Sequence, residues 1–79
     1  MKLNIISPDH VIFDGDNVHL VQLPGIDGSF EIMNKHAALI SVLKKGVVKV
    51  VVKGIPDQLF EIRGGVIEVL NNKVLILAE

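Results

Sequence analysis

Three histidines, three serines and no cysteine are the nucleophilic and metal-ligating repertoire of this 79-residue chain. His10, His19 and His36 are scattered among strand-like segments. No two stand at a spacing that lets imidazoles share a metal, and no thiol is available to complete a site, so no metal is expected. His19 lies in a valine-rich run, where a half-buried strand residue is the simpler reading. His36 follows a polar corner, where an imidazole most simply satisfies backbone groups. Ser7, Ser29 and Ser41 are not framed by a nucleophile motif. Gly25-Ile26-Asp27-Gly28 has no helix after it and no P-loop lysine with Ser or Thr, so it does not cradle a phosphate. Gly64-Gly65 runs straight into an apolar segment and reads as a corner or bulge. Nothing local pairs two carboxylates. The polar residues therefore read as turn chemistry and solvated surface, with no catalytic residue and no cofactor among them.

The segment that mixes turn formers, a histidine and small residues with apolar ones runs from Leu23 to Leu39. Pro24-Gly25 is expected to turn, since proline presets φ at the first corner and glycine accepts positive φ at the next. Asp27-Gly28 is a second turn signal. Ser29 to Met33 alternates, with Phe30 and Ile32 on one face and Ser29 and Glu31 on the other. Asn34-Lys35-His36 breaks the alternation, with a helical turn near Lys35–Ala38 as one option. An exposed, shaped edge of this kind carries function more often than the strands that hold it.

The elements that hold this edge read as strands. Lys2–Ser7, His10–Asp14, Asn17–Leu23, Ala38–Leu43, Val47–Lys53, Gln58–Arg63, Val66–Leu70 and Lys73–Ala78 are short, β-branched and separated by turn signals. Lys44-Lys45-Gly46, Gly54-Ile55-Pro56-Asp57 and Asn71-Asn72 supply three of these turns, the last suited to a type I′ hairpin. No stretch keeps a 3.6-residue apolar period. Regular short strands argue for a two-layer sandwich or a barrel. Asn17–Leu23 is apolar on both faces, Val18 and Leu20 against Val21 and Leu23, which suggests burial between layers or under a partner.

Composition sets bounds on function. A single domain over residues 1–79 is expected. At this size a chain buries only about 60% of its unfolded surface, yet 49% of the residues are hydrophobic and the mean hydropathy is +0.50. Either an unusual share lies in the core or a partner covers one face. The net charge of −1 offers nothing to nucleic acid or to anionic lipid. Met1-Lys2 is followed by only four residues before Ser7-Pro8, too few for a signal peptide, and no apolar run is long enough to span a membrane.

Several motifs in order resemble one family. They are Leu23-Pro-Gly-x-x-Gly-x-x-x-Ile followed by His36-Ala-x-Leu, Leu43-Lys-x-Gly46-Val-Val, Phe60-x-x-x-Gly64-Gly65-x-x-Glu68-Val and Asn72-Lys-Val-x-Ile-Leu-Ala78. Together they are similar to the N-terminal domain of the epsilon subunit of bacterial F-type ATP synthase, the mitochondrial delta. The resemblance implies an all-β fold, a flattened two-layer β-sandwich of about ten short antiparallel strands. It implies a non-catalytic part of the central stalk that links the gamma subunit to the loops of the membrane c-ring. It would be a peripheral protein on the cytoplasmic face of the bacterial inner membrane, coupling ion flow to ATP synthesis. The residues matching the c-ring contact are Asp27, Ser29, Glu31, Asn34, Lys35 and His36. For the gamma-facing surface the double-sided apolar pattern suggests Val18, Leu20, Val47 and Val51.

The chain departs from the family pattern at three places. Ser29 stands where the family usually has an acid, and Glu31, on the same strand face, is expected to supply that charge. Asn34-Lys35 replaces the usual Pro-Gly, which leaves the corner less rigid and adds a cation. Many relatives continue into a C-terminal helical hairpin, which is absent from residues 1–79, so neither nucleotide binding nor helix-mediated inhibition is expected. Two other readings remain: a biotinyl or lipoyl carrier domain with Lys35 as its modified residue, though without the Met-Lys-Met pattern, and a general β-sandwich interaction module.

Overall fold

Seven strands and no helix make up the computed structural model, which describes all 79 residues. They are β1 (Lys2–Ile6), β2 (Val11–Gly15), β3 (Val18–Gly25), β4 (Gly28–Met33), β5 (Leu39–Val52), β6 (Gln58–Leu70) and β7 (Lys73–Ala78). All belong to one hydrogen-bonded sheet in the order β2-β1-β7-β6-β5-β3-β4. The sheet folds over on itself because its two central strands bend. The first half of β5 and the second half of β6 join β7, β1 and β2 in a first layer; the remaining halves join β3 and β4 in a second. The backbones of Met1 and Val18 bond reciprocally, at 2.9 and 3.2 Å, and so stitch the start of one layer to the start of the other.

The all-β sandwich agrees with expectation, but the strand count is smaller and the reason is physical. Lys44-Lys45-Gly46 carries the residues of a turn, yet the chain stays paired through it: Lys44 faces Gly64 and Gly46 faces Ile62. Likewise Gln58–Arg63 and Val66–Leu70 are one strand. The inward side switches at these corners. Along β6 the inward residues are Phe60, Ile62 and Gly64, then Gly65, Ile67 and Val69. Gly64 and Gly65 have φ of 150° and 148°, a region that L side chains rarely adopt, and a Cβ on Gly65 would collide with the Leu77 carbonyl oxygen. The two glycines let one long strand serve both layers.

Pro24-Gly25 also departs from expectation. Both residues extend β3, and the turn falls on Ile26-Asp27 instead. Pro24 pairs with Ser29 on one side, while on the other the β3–β5 ladder is interrupted between Gln22 and Gly25. The missing proline N–H thus falls where no ladder bond is required. Gly46 makes room for the ring, since a Cβ there would lie 2.7 Å from the Pro24 Cβ. Not every pairing is antiparallel: β1 runs parallel to β7 over Lys2–Ile6 and Lys73–Leu77. The Asn34–Ala38 segment forms a turn and extended chain, not a helical turn.

Between the layers lies a core of 16 buried apolar residues with no buried polar side chain. Leu3, Ile5, Val21, Ile32, Val48, Val50, Ile67 and Ile76 are fully enclosed. Phe13 and Phe60 meet edge to face at 5.8 Å on its rim.

Candidate functional site

Two surfaces stand out, an edge strand with its turns and an apolar outer face. The edge is β4, the last strand of the sheet, which pairs on one side only. Phe30 and Ile32 turn inward, and Ser29, Glu31 and Met33 turn outward into solvent. The expected alternation therefore holds. Asp27 lies exposed in the two-residue turn that precedes β4, and Asn34, Lys35 and His36 lie exposed in the turn that follows it. These residues line one strand, and its rise separates the two turns by about 17 Å. They form a ridge and not a single tip.

The turn after β4 is closely bonded. The His36 N–H donates to the Met33 carbonyl at 3.2 Å. Lys35 has φ of 61°, and its N–H donates to Asn72 Oδ1 at 2.7 Å. The Met1 nitrogen donates to Asn34 Oδ1 at 2.7 Å. His36 Nδ1 lies 2.8 Å from the Ala37 carbonyl, so that nitrogen carries the proton and donates. His36 thus satisfies a backbone group beside a turn, as its position suggests.

The apolar face covers the first layer on its outer side. The strand registers place Val42 against Val66, Val66 against Leu77, Leu77 against Ile6, and Ile6 against Val11. One rung across five strands is wholly apolar. Val42, Leu77 and Val11 are each more than half exposed, and Val66 is 40% exposed. The adjoining rung carries Ile40, 73% exposed, and Leu75 around Glu68. The next rung turns basic with Lys2 and Lys73. An exposed apolar surface with a polar border marks a binding face.

The four residues expected to face a partner from the double-sided pattern fare unevenly. Val18 is 1% exposed and belongs to the core, so its side chain has no surface to offer. A register shift between Val18 and Leu20 explains this: His19 is extra on β3, so Val18 and Val21 both turn inward. Leu20 and Val51 are half-buried neighbours and Val47 is exposed, all on the outer side of the second layer, where Lys49, Gln22 and Glu31 interrupt the apolar surface. The apolar rung on the first layer escapes the sequence reading. Its signal lies in Val66–Leu70 and Lys73–Ala78, which are apolar at both strand parities.

Chemistry of other kinds finds little foothold. No group of three or more His, Cys, Asp or Glu side chains converges as a metal site would require. Ser7 Oγ lies 3.0 Å from His10 Nδ1 and donates to the His10 carbonyl at 3.1 Å, but the cluster is an exposed turn. The surface grooves are open; the one beside it is lined by Asp9, His10, Arg63 and Glu79 among others. No helix is long and apolar enough to cross a membrane.

The family described as ATP synthase, Delta/Epsilon chain, beta-sandwich domain matches residues 1–79. An ATP synthase epsilon chain of Chlorobium limicola is 41% identical over 78 residues, covering 99% of this chain and 88% of the relative. One from Parvibaculum lavamentivorans is 35% identical over 79 residues, with 100% of this chain and 59% of the relative covered. Among solved structures, the central stalk and c-ring of the Tetrahymena thermophila mitochondrial ATP synthase contains a chain that superposes with a TM-score of 0.82 at 23% identity, over 98% of this chain and 61% of that one. A chain of the Euglena gracilis mitochondrial ATP synthase, in an assembly with F1 and the c-ring, superposes with a TM-score of 0.89 at 21% identity, over 96% and 48%. At these identities the superpositions show a shared fold.

Proposed function

This chain belongs to the ATP synthase delta and epsilon chain β-sandwich family, a rotor subunit of F-type ATP synthase, and from that premise we propose a division of labour between its two surfaces. The apolar outer face of the first layer packs on the gamma subunit. The ridge of Asp27, Ser29, Glu31, Asn34, Lys35 and His36 rests on the polar loops of the c-ring. The domain is a non-catalytic joint on the cytoplasmic side of the membrane. It binds no nucleotide and transmits rotation as a stiff body.

The observation that carries this reading is the apolar rung Val42–Val66–Leu77–Ile6–Val11, continuous over five strands, with Ile6 half-buried and the other four side chains open to solvent. A rotating joint needs a fastening that does not slip. Apolar burial supplies it without directional bonds, at about 25 cal/mol per Å² removed from water. In this reading the rung faces gamma in place of Leu20, Val47 and Val51, which lie on the opposite layer and share it with charged residues. The ridge suits the second contact, since its exposed polar and charged groups match hydrated loops better than an apolar surface does.

The two faces can be separated by co-purification from the assembled enzyme. Leu77→Asp with Val66→Asp places charge in the rung and is expected to abolish recovery of gamma. Val47→Asp on the other layer is expected to leave it intact. The reverse outcome would move the gamma contact to the second layer.

A further inference from the structure

The turn between β4 and β5 is built from residues that its geometry does not favour. Met33–His36 closes with an N–H to carbonyl bond of 3.2 Å, and within it only Lys35, the third residue, has positive φ. A turn with that pattern favours proline at its second position and glycine at its third. Asn34 and Lys35 supply neither the preset φ nor the freedom from a Cβ. The support comes from outside the turn. Asn72, 37 residues further along, takes the Lys35 N–H on its Oδ1 at 2.7 Å. Asn72 is itself well seated. It occupies the β6–β7 turn with φ of 61°, and its carbonyl accepts the Lys2 N–H at 3.2 Å. One residue therefore ties the corner to the ends of β1, β6 and β7.

We propose that Asn72 is a positioning residue for the Asn34-Lys35-His36 corner. Its carboxamide replaces the rigidity that a Pro-Gly pair would have supplied and fixes the direction in which Lys35 and His36 leave the sandwich. His36, Ala37 and Ala38 are exposed and outside any strand; the His36 imidazole bonds only the adjacent Ala37 carbonyl and Met1 holds the Asn34 side chain, so the Lys35 backbone is tied to the sandwich through Asn72. The functional part rests on the reading that the corner contacts the c-ring; the clamp itself does not depend on it.

Asn72→Gly removes the acceptor while keeping a residue at ease with positive φ, and Asn72→Asp keeps an oxygen in place. In the full chain, Asn72→Gly is expected to speed amide exchange at Lys35 about five-fold or more, the loss of one ordinary hydrogen bond. Asn72→Asp is expected to stay close to the parent. In the assembled enzyme in membrane vesicles, Asn72→Gly is expected to reduce proton pumping per ATP hydrolysed. Asn72→Asp is expected to keep pumping at the parent level, a split between acceptor kept and acceptor lost that general destabilisation would not show. Unchanged exchange at Lys35 in Asn72→Gly, or an equal loss of pumping in Asn72→Asp, overturns the proposal. If Lys35→Glu leaves pumping untouched, the ring contact fails instead, and the exchange data alone decide the clamp.

Discussion

Lys35 holds a long side chain on a left-handed backbone, which disfavours an L-residue by about 1–2 kcal/mol. Glycine carries no such penalty but has more freedom to lose on folding. The difference leaves a small net gain: Lys35→Gly is expected to stabilise the chain by about 0.5–1 kcal/mol in urea unfolding. Glu31 is the other residue whose role is set locally. It is exposed on β4, faces the same way as Ser29, and pairs with Gln22 across the ladder. If it supplies the charge that Ser29 lacks, Glu31→Gln lowers rotor-coupled proton pumping while leaving unfolding stability within about 0.5 kcal/mol, the usual range for an exposed site. Undiminished pumping would return Glu31 to the solvated surface.

Among the elements, the bent central strands decide the architecture. β5 and β6 pair over almost their whole length and pass together from one layer to the other. The passage depends on close approach at Gly65, where an added Cβ meets the Leu77 carbonyl and the backbone has φ of 148°. Gly65→Ala combines a steric clash with a strained dihedral, and is expected to destabilise by more than about 2 kcal/mol in chemical denaturation. A normal midpoint in that variant would show that the corner is not fixed by glycine. Both edges of the sheet are short, β2 with five residues and β4 with six. Short edges limit unwanted strand pairing.

At the scale of the whole molecule, the surface is divided by chemistry. An apolar rung lies on one outer face, and a polar ridge lies along the edge of the other layer. A chain of 79 residues has little stability in reserve, so a partner that covers the rung should be visible as added stability. With gamma in excess at a hundred times its Kd, linkage adds about 2.7 kcal/mol. The unfolding midpoint is expected to rise accordingly, and not to rise for a chain carrying Leu77→Asp and Val66→Asp. A rise that survives both substitutions would place the covered face elsewhere.

Much of this is legible in the chain itself. Period-two alternation and turn residues specify strands and exclude helices, because each depends on neighbours only a few residues away. The ordered motifs from Leu23 to Ala78 point to the family, and the exposed run Ser29, Glu31, Met33 follows from alternation alone. Other features wait for the fold. Gly64-Gly65 reads as a corner or bulge in the chain itself, but sequence does not say that Lys44-Lys45-Gly46 bends a strand instead of ending it, since paired and unpaired chain look alike until the partner strand is known. Nor does it show that Val18 enters the core, because one extra residue at His19 reverses the side on which the following residues emerge. The apolar rung is assembled from β5, β6, β7, β1 and β2 by register, and the Asn72–Lys35 bond joins turns far apart in the chain. Both are long-range consequences of which strands lie side by side.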